Sequence, residues 1–250
     1  SDLQAIKTHA EKDGNQYKIN GSKTFITNGG SADLICLAAK TDPNQGSKGV
    51  SLLMVETDGL EGFRRGTPLK KVGMKGNDTA ELFFENVKIP QTNLLGPEEG
   101  KGFYQLMKQL PWERLYIGIA GLGAADCALD ETIKYVKERK AFGKRVFDFQ
   151  NTKFKLAELK TKVEVTRSFI NDCIQKLISG ELDAATASMA KYWGSQIQGE
   201  VLDECVQLHG GYGFMAEYPV ARMWTDARVQ KIYGGTNEIM KELIARSLDT

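Results

Sequence analysis

The run LAELKTKVEVTRSFINDCIQKL, residues 156–177, sets Leu156, Leu159, Val163, Thr166, Ile170, Cys173 and Leu177 three or four positions apart. Side chains at that spacing share one stripe of an α-helix, so the segment predicts an amphipathic helix with a buried face. A second stripe of the same period runs through Ala190, Trp193, Ile197, Val201, Cys205 and Leu208. Breaks at Gly143, Gly180 and Gly210-Gly211 divide the sequence from Gly102 onward into long helices, the pattern of an antiparallel bundle. Toward the N-terminus the texture changes. Short β-rich runs at 17–20, 23–27, 34–40, 50–56 and 81–89 alternate with turn residues. Asn20-Gly21, between the first two, reads as a two-residue hairpin turn. The expected fold is α+β: an antiparallel β barrel or sandwich over residues 1–97, then a helical bundle over 98–250.

Composition narrows the function classes. With 250 residues, 41% hydrophobic and 26% charged, the chain can bury a substantial core. A net charge of +1 gives no footing for nucleic acid or an acidic membrane surface. No apolar run is long enough to span a bilayer, and no signal peptide is expected from the first residues. Cys36, Cys127, Cys173 and Cys205 are scattered without a C-x-x-C pair, so neither a zinc site nor a disulfide framework is indicated. His9 and His209 lack triad or metal partners in sequence. Gly121-x-Gly123 lacks the third glycine of a dinucleotide fingerprint. Trp112, Trp193 and Trp224 sit at helical spacing and read as core or pocket wall.

The chemistry concentrates in three places. In Ile232-Tyr233-Gly234-Gly235-Thr236-Asn237-Glu238-Ile239, two glycines precede a helix whose N-cap is expected to be Thr236 and whose first turn carries Glu238. Free N–H groups there suit an oxyanion or a phosphate, and an ordinary capped loop has the same sequence. In Leu110-Pro111-Trp112-Glu113-Arg114-Leu115, Glu113 is either a catalytic carboxylate or an acidic residue near a helix start or a kink at Pro111, favoured by the macrodipole and paired only with Arg114 or solvent. Lys137 to Lys140 form either a ligand-binding basic cluster or a basic helix C-terminus capped at Gly143.

Those stretches, with Cys205-Val206-Gln207-Leu208-His209-Gly210-Gly211-Tyr212-Gly213-Phe214, Glu138-Arg139-Lys140-Ala141-Phe142-Gly143 and Thr24-Phe25-Ile26-Thr27-Asn28-Gly29-Gly30, resemble the acyl-CoA dehydrogenase family from the first residue to the last. The ending is most similar to the long-chain branch. The resemblance implies FAD as cofactor, an acyl-CoA substrate of long or medium straight chain, electron-transfer flavoprotein as acceptor, and a homotetramer built as a dimer of dimers. It places the protein in the cytoplasm of a bacterium or the mitochondrial matrix of a eukaryote. A branched-chain, isovaleryl-type enzyme and a catalytically silent scaffold of the same fold are the alternatives.

Residue by residue, the resemblance implies these roles. Gly234 stands where most members carry the catalytic base, and Glu113 matches the carboxylate that the long-chain and isovaleryl branches use instead. Gly234 and Gly235 then offer backbone to the substrate, with Tyr233 and Arg114 beside it. Moving the carboxylate, by Glu113→Thr with Gly234→Glu, is expected to restore part of the activity. Phe25, Ile26 and Thr27 match the Trp-Ile-Thr that lines the flavin. Arg139, Lys140 and Phe142, with Gln150, are expected to reach a neighbouring subunit's FAD. Gln207, Gly210 and Gly211 are expected at the adenosine part from yet another subunit, and Thr236 and Glu238 at the diphosphate and ribose. Ser1 falls on the substrate side: Ser1-Asp2 matches the tail of Thr-Glu-Pro-x-x-Gly-Ser-Asp, and an N-terminal helical domain is expected to precede it.

Overall fold

A computed structural model describes residue 2 and residues 5–249. The chain divides into two compact units, Ser1–Lys108 and Gln109–Thr250. The first holds six strands: β1 (His9–Asp13), β2 (Gln16–Thr27), β3 (Leu34–Lys40), β4 (Val50–Glu56), β5 (Phe63–Arg65) and β6 (Thr79–Pro90). They form one sheet in the order β4-β3-β1-β2-β6-β5. All neighbours are antiparallel except β1 and β3, which meet in parallel at His9 and Lys40. Alternate residues face one core of Tyr17, Ile19, Leu37, Leu53, Val55, Leu82, Phe84, Val87 and Ile89, the period-two signature of strands covered on one side.

Asn20-Gly21 is not a hairpin turn. β2 runs straight through it, and the turn lies at Gly14-Asn15, where Asp13 pairs with Gln16. The β2–β6 register shifts between Ile19 and Gly21, so β6 carries one extra residue and Asn86 adopts a positive φ of 53°. The Asn20 carboxamide oxygen accepts from the Asn86 backbone N–H at 2.8 Å, which stabilises the bulge. A Cβ on Gly21 would meet Thr8 Cα at 2.7 Å, so the glycine answers a close approach rather than a chain reversal. The extra residue lets Phe84 and Val87, three apart, both point into the core. A second shift between Lys23 and Ile26 places the extra residue on β2. There Phe25 takes φ 58° and stands out of the sheet, 76% exposed.

The second unit is helical. α1 (Gly102–Glu138) begins in the first unit and runs on into the second; α2 (Gln150–Ser179), α3 (Ala184–His209), α4 (Pro219–Ala227) and α5 (Asn237–Arg246) follow. Leu156, Leu159, Val163, Thr166, Ile170 and Cys173 are buried on α2, as their spacing predicts. They pack with Leu122, Leu129 and Val136 of α1 and Ile197, Val201 and Cys205 of α3. Trp193 departs from its stripe: it is exposed, its indole N–H donating to Thr166 Oγ1 at 3.0 Å. Trp112 and Trp224 are exposed as well, so none of the three tryptophans is core. α1 and α3 cross with backbones nearly touching: a Cβ on Gly118 would lie 2.6 Å from the Ala190 carbonyl, and one on Gly121 2.8 Å from the Gly194 carbonyl.

Between α1 and α2 the chain forms a tight hairpin, β7 (Lys140–Ala141) with β8 (Lys144–Arg145). Phe142 and Gly143 both have positive φ, 50° and 79°, the demand of a type I′ turn. Gly143 is therefore the hairpin turn and not a helix cap. Among the described residues no helix is long and apolar enough to cross a membrane.

Candidate active site and cofactor groove

Glu113 lies eleven residues into α1, past an interior Pro111, so no helix N-terminus explains it. Pro111 lacks the N–H that would reach the carbonyl four residues back and disturbs the helix one turn before Glu113. Glu113 itself is exposed, and Ile117, one turn on, shares its face. Ile117 Cδ1 lies 2.4 Å from where a Cβ on Gly234 would sit. Tyr116 and Tyr233 also sense each other, and burial pushes the Tyr233 phenol up from its ordinary value. The α1 turn of Glu113 and the loop 232–236 therefore face one another.

Gly234 and Gly235 have φ of 64° and 89°, a conformation that side-chain-bearing residues rarely hold. Among the described residues no hydrogen bond engages the N–H of either glycine. Thr236 caps α5 as expected, its hydroxyl accepting from the Ile239 N–H at 3.3 Å. Glu238, in the first turn of α5, is exposed, and bonding to its own backbone N–H holds its carboxyl below the usual value. The loop thus offers a pair of backbone donors one helical turn from Glu113, since Ile117, four residues on from it, meets Gly234. That set suits proton removal beside a carbonyl whose oxygen is gaining charge.

Arg114 turns the other way. Only 8% exposed, it reaches Ser188 of α3 at 3.5 Å through Nη1, and its Nε has no partner. Burial lowers its pKa, opposed by the adjacent Glu113 charge. Beside it lies Lys191, fully buried, which donates to Asn237 Oδ1 at 2.9 Å. Ser195 Oγ meets the same oxygen at 3.1 Å. Sequence reasoning passed over Ser188, Lys191, Ser195 and Asn237. For Ser188, Lys191 and Ser195 the signal was available as a polar line on α3 at spacings of three and four, running beside the apolar stripe.

A second feature is an open groove of about 510 Å³ at the C-terminal end of α3, lined by Tyr135, Arg139, Val146, Gln207, Gly210, Gly211 and Tyr212 among others. Its lining carries no carboxylate. Arg139 stands 5.5 Å over the Tyr212 ring, and the space above Gly210 and Gly211 is open. His209 is a packing residue, stacked on Tyr135 at 4.2 Å with Nδ1 2.8 Å from the Cys205 carbonyl. The groove gathers Arg139, Gln207, Gly210 and Gly211 on one chain. It does not include Lys140, Phe142 or Gln150: Phe142 sits 95% exposed at the hairpin tip, edge-on to Phe149 at 6.2 Å, and Gln150 is the exposed first residue of α2. In the sheet unit Phe25 and Thr27 face solvent while Ile26 packs inward. Ser1 lies outside the described residues. Among the described residues no cluster of His, Cys, Asp and Glu could hold a metal.

The chain matches two family models: acyl-CoA dehydrogenase, middle domain, over residues 1–87 and acyl-CoA dehydrogenase, C-terminal domain, over residues 100–248. It is 54% identical over 250 residues to the mitochondrial long-chain specific acyl-CoA dehydrogenase of Sus scrofa, covering 99% of this chain and 58% of that protein. With the short/branched chain specific acyl-CoA dehydrogenase of Rattus norvegicus it shares 39% over 249 residues, 100% of this chain and 57% of the relative. The crystal structure of acyl-CoA dehydrogenase from Geobacillus kaustophilus superposes with a TM-score of 0.97 at 51% identity, over 100% of this chain and 66% of that one. The chain thus spans less than two thirds of the length of these curated relatives.

Proposed function

Since the chain belongs to the acyl-CoA dehydrogenase family, we propose that the protein carrying it oxidises acyl-CoA thioesters to trans-2-enoyl-CoA, with Glu113 as the base. The observation that supports this most is the approach of Ile117, one turn on from Glu113 on α1, to the bare backbone of Gly234. Gly234, which has no acid to offer, contributes its N–H to the thioester oxygen, and Gly235 and Tyr233 complete that edge. Glu113 takes the α-proton as charge builds on the oxygen that the loop receives. Arg114, buried behind the helix, keeps the site electropositive rather than touching substrate.

The groove fits an anionic dinucleotide: a cation, a glycine backbone with open space, an aromatic wall and no carboxylate. Arg139, Gln207, Gly210 and Gly211 would hold the diphosphate and adenosine end of an FAD, with Phe142 and Gln150 contributed from the hairpin side. Thr27, with Phe25 as aromatic wall and Ile26 fixing the strand, is assigned to the isoalloxazine, and Thr236 and Glu238 to the diphosphate and ribose. Bound FAD would supply the acceptor for the β-hydride. Arg139 and Gln207 share one groove on one chain, so a single neighbouring protomer would supply both sets. Long straight chains are the preferred substrate by the greater identity to the long-chain relative, and electron-transfer flavoprotein is the proposed acceptor.

Glu113→Gln in the intact enzyme tests the base. It keeps shape and removes basicity, so turnover should fall at least about 100-fold with FAD still bound. Turnover near wild type would refute the assignment. Rates over a panel of acyl-CoA lengths, branched ones included, decide the substrate class.

A further inference from the structure

Lys191 is a cation buried in the helical unit. It is fully buried, and among the described residues its one hydrogen-bond partner is Asn237 and it makes no ion pair. It sits at the N-terminus of α5, where the helix dipole repels a cation. Burial lowers its pKa to about 8, the Glu238 carboxylate opposing that shift and the nearby Arg114 adding to it. A well-packed apolar side chain in such a place is commonly neutral or stabilising. The partners of Lys191 there are the Asn237 carboxamide and the field of Glu238 rather than a salt bridge.

Its position points to another use. Gly234 and Gly235 carry no side chains with which to hold their own conformation, so the loop depends on its anchors. Asn237, the first residue of α5, follows after the N-cap Thr236, and its carboxamide is gripped between Lys191 Nζ at 2.9 Å and Ser195 Oγ at 3.1 Å. We propose that Lys191 is a positioning residue: through Asn237 it fixes the start of α5 and with it the Gly234-Gly235 N–H groups that receive the thioester oxygen. This rests on the reading of Glu113 and Gly234 given above.

The test uses the intact, flavin-loaded enzyme with Lys191→Met, Asn237→Ala and the double variant. For Lys191→Met the expected result is an unchanged or higher Tm, retained flavin absorbance, and a kcat lower by roughly tenfold or more, as misplaced donors would cause. Because the two residues act through one bond, the double variant should lose no more turnover than the worse single one. Wild-type kcat in Lys191→Met, or a lower Tm with kcat per folded molecule unchanged, overturns the proposal. So do losses that add in the double variant. Should Lys191→Met fail to fold, Asn237→Ala alone decides, wild-type kcat in it being the contrary result. Glu113→Gln run alongside separates the two readings: if it stays active while Lys191→Met does not, the base assignment falls and the positioning role stands.

Discussion

Gly234 and Ile117 exclude each other's enlargement. An added Cβ at 234 would fall 2.4 Å from Ile117 Cδ1, at a φ of 64° that already strains any L-residue. The exchange Glu113→Thr with Gly234→Glu, expected from sequence to recover part of the activity, therefore requires the end of the Ile117 side chain to move aside. It should recover part of the activity lost with Glu113, and adding Ile117→Ala should raise turnover further. Equal activity with and without the Ile117 change would show that the loop relaxes freely. Glu113 and Gly234 could be proposed from the sequence because the missing acid and its suggested replacement are both residue identities. The burial of Arg114 was not, since nothing in Trp112-Glu113-Arg114 tells which of two adjacent charged side chains turns inward; the close crossing of α1 on α3 decides that. Asn20-Gly21 misled for a related reason. The dipeptide tolerates positive φ in a turn and serves equally opposite a bulge, and only the proximity of Thr8 and Asn86 distinguishes the two.

The α1–α3 crossing is the element on which the site depends, for it brings Arg114 to Ser188 and sets Lys191 under α5. Gly118→Ala tests it. Alanine favours a helix interior over glycine by up to about 1 kcal/mol, yet here its Cβ would press on the Ala190 carbonyl at 2.6 Å. Overpacking of that kind costs about 1–3 kcal/mol, so denaturant unfolding should show a net loss of stability. A gain would mean that the helices separate at little cost. Long helices were readable, their period repeating over many turns, as on α2. Short elements were not: β1 has five residues and β5 three, the hairpin β7–β8 pairs only two on each side, and their formation rests on neighbours distant in sequence.

At the scale of the molecule, the proposed sharing of an FAD between protomers through the groove of Arg139, Gln207, Gly210 and Gly211 would couple cofactor to assembly. Any ligand shared between protomers stabilises their association by mass action. Arg139→Ala in the intact enzyme should thus weaken both FAD retention and oligomerisation, read by flavin absorbance and sedimentation across a dilution series. Loss of FAD with assembly untouched at every concentration would confine the arginine to its own protomer. The decisive measurement is exchange of the acyl-CoA α-proton in D2O, without electron acceptor, by flavin-loaded wild type and Glu113→Gln. Exchange in the wild type and at least about 100-fold less in the variant is the predicted result; equal exchange in the two would place the base elsewhere.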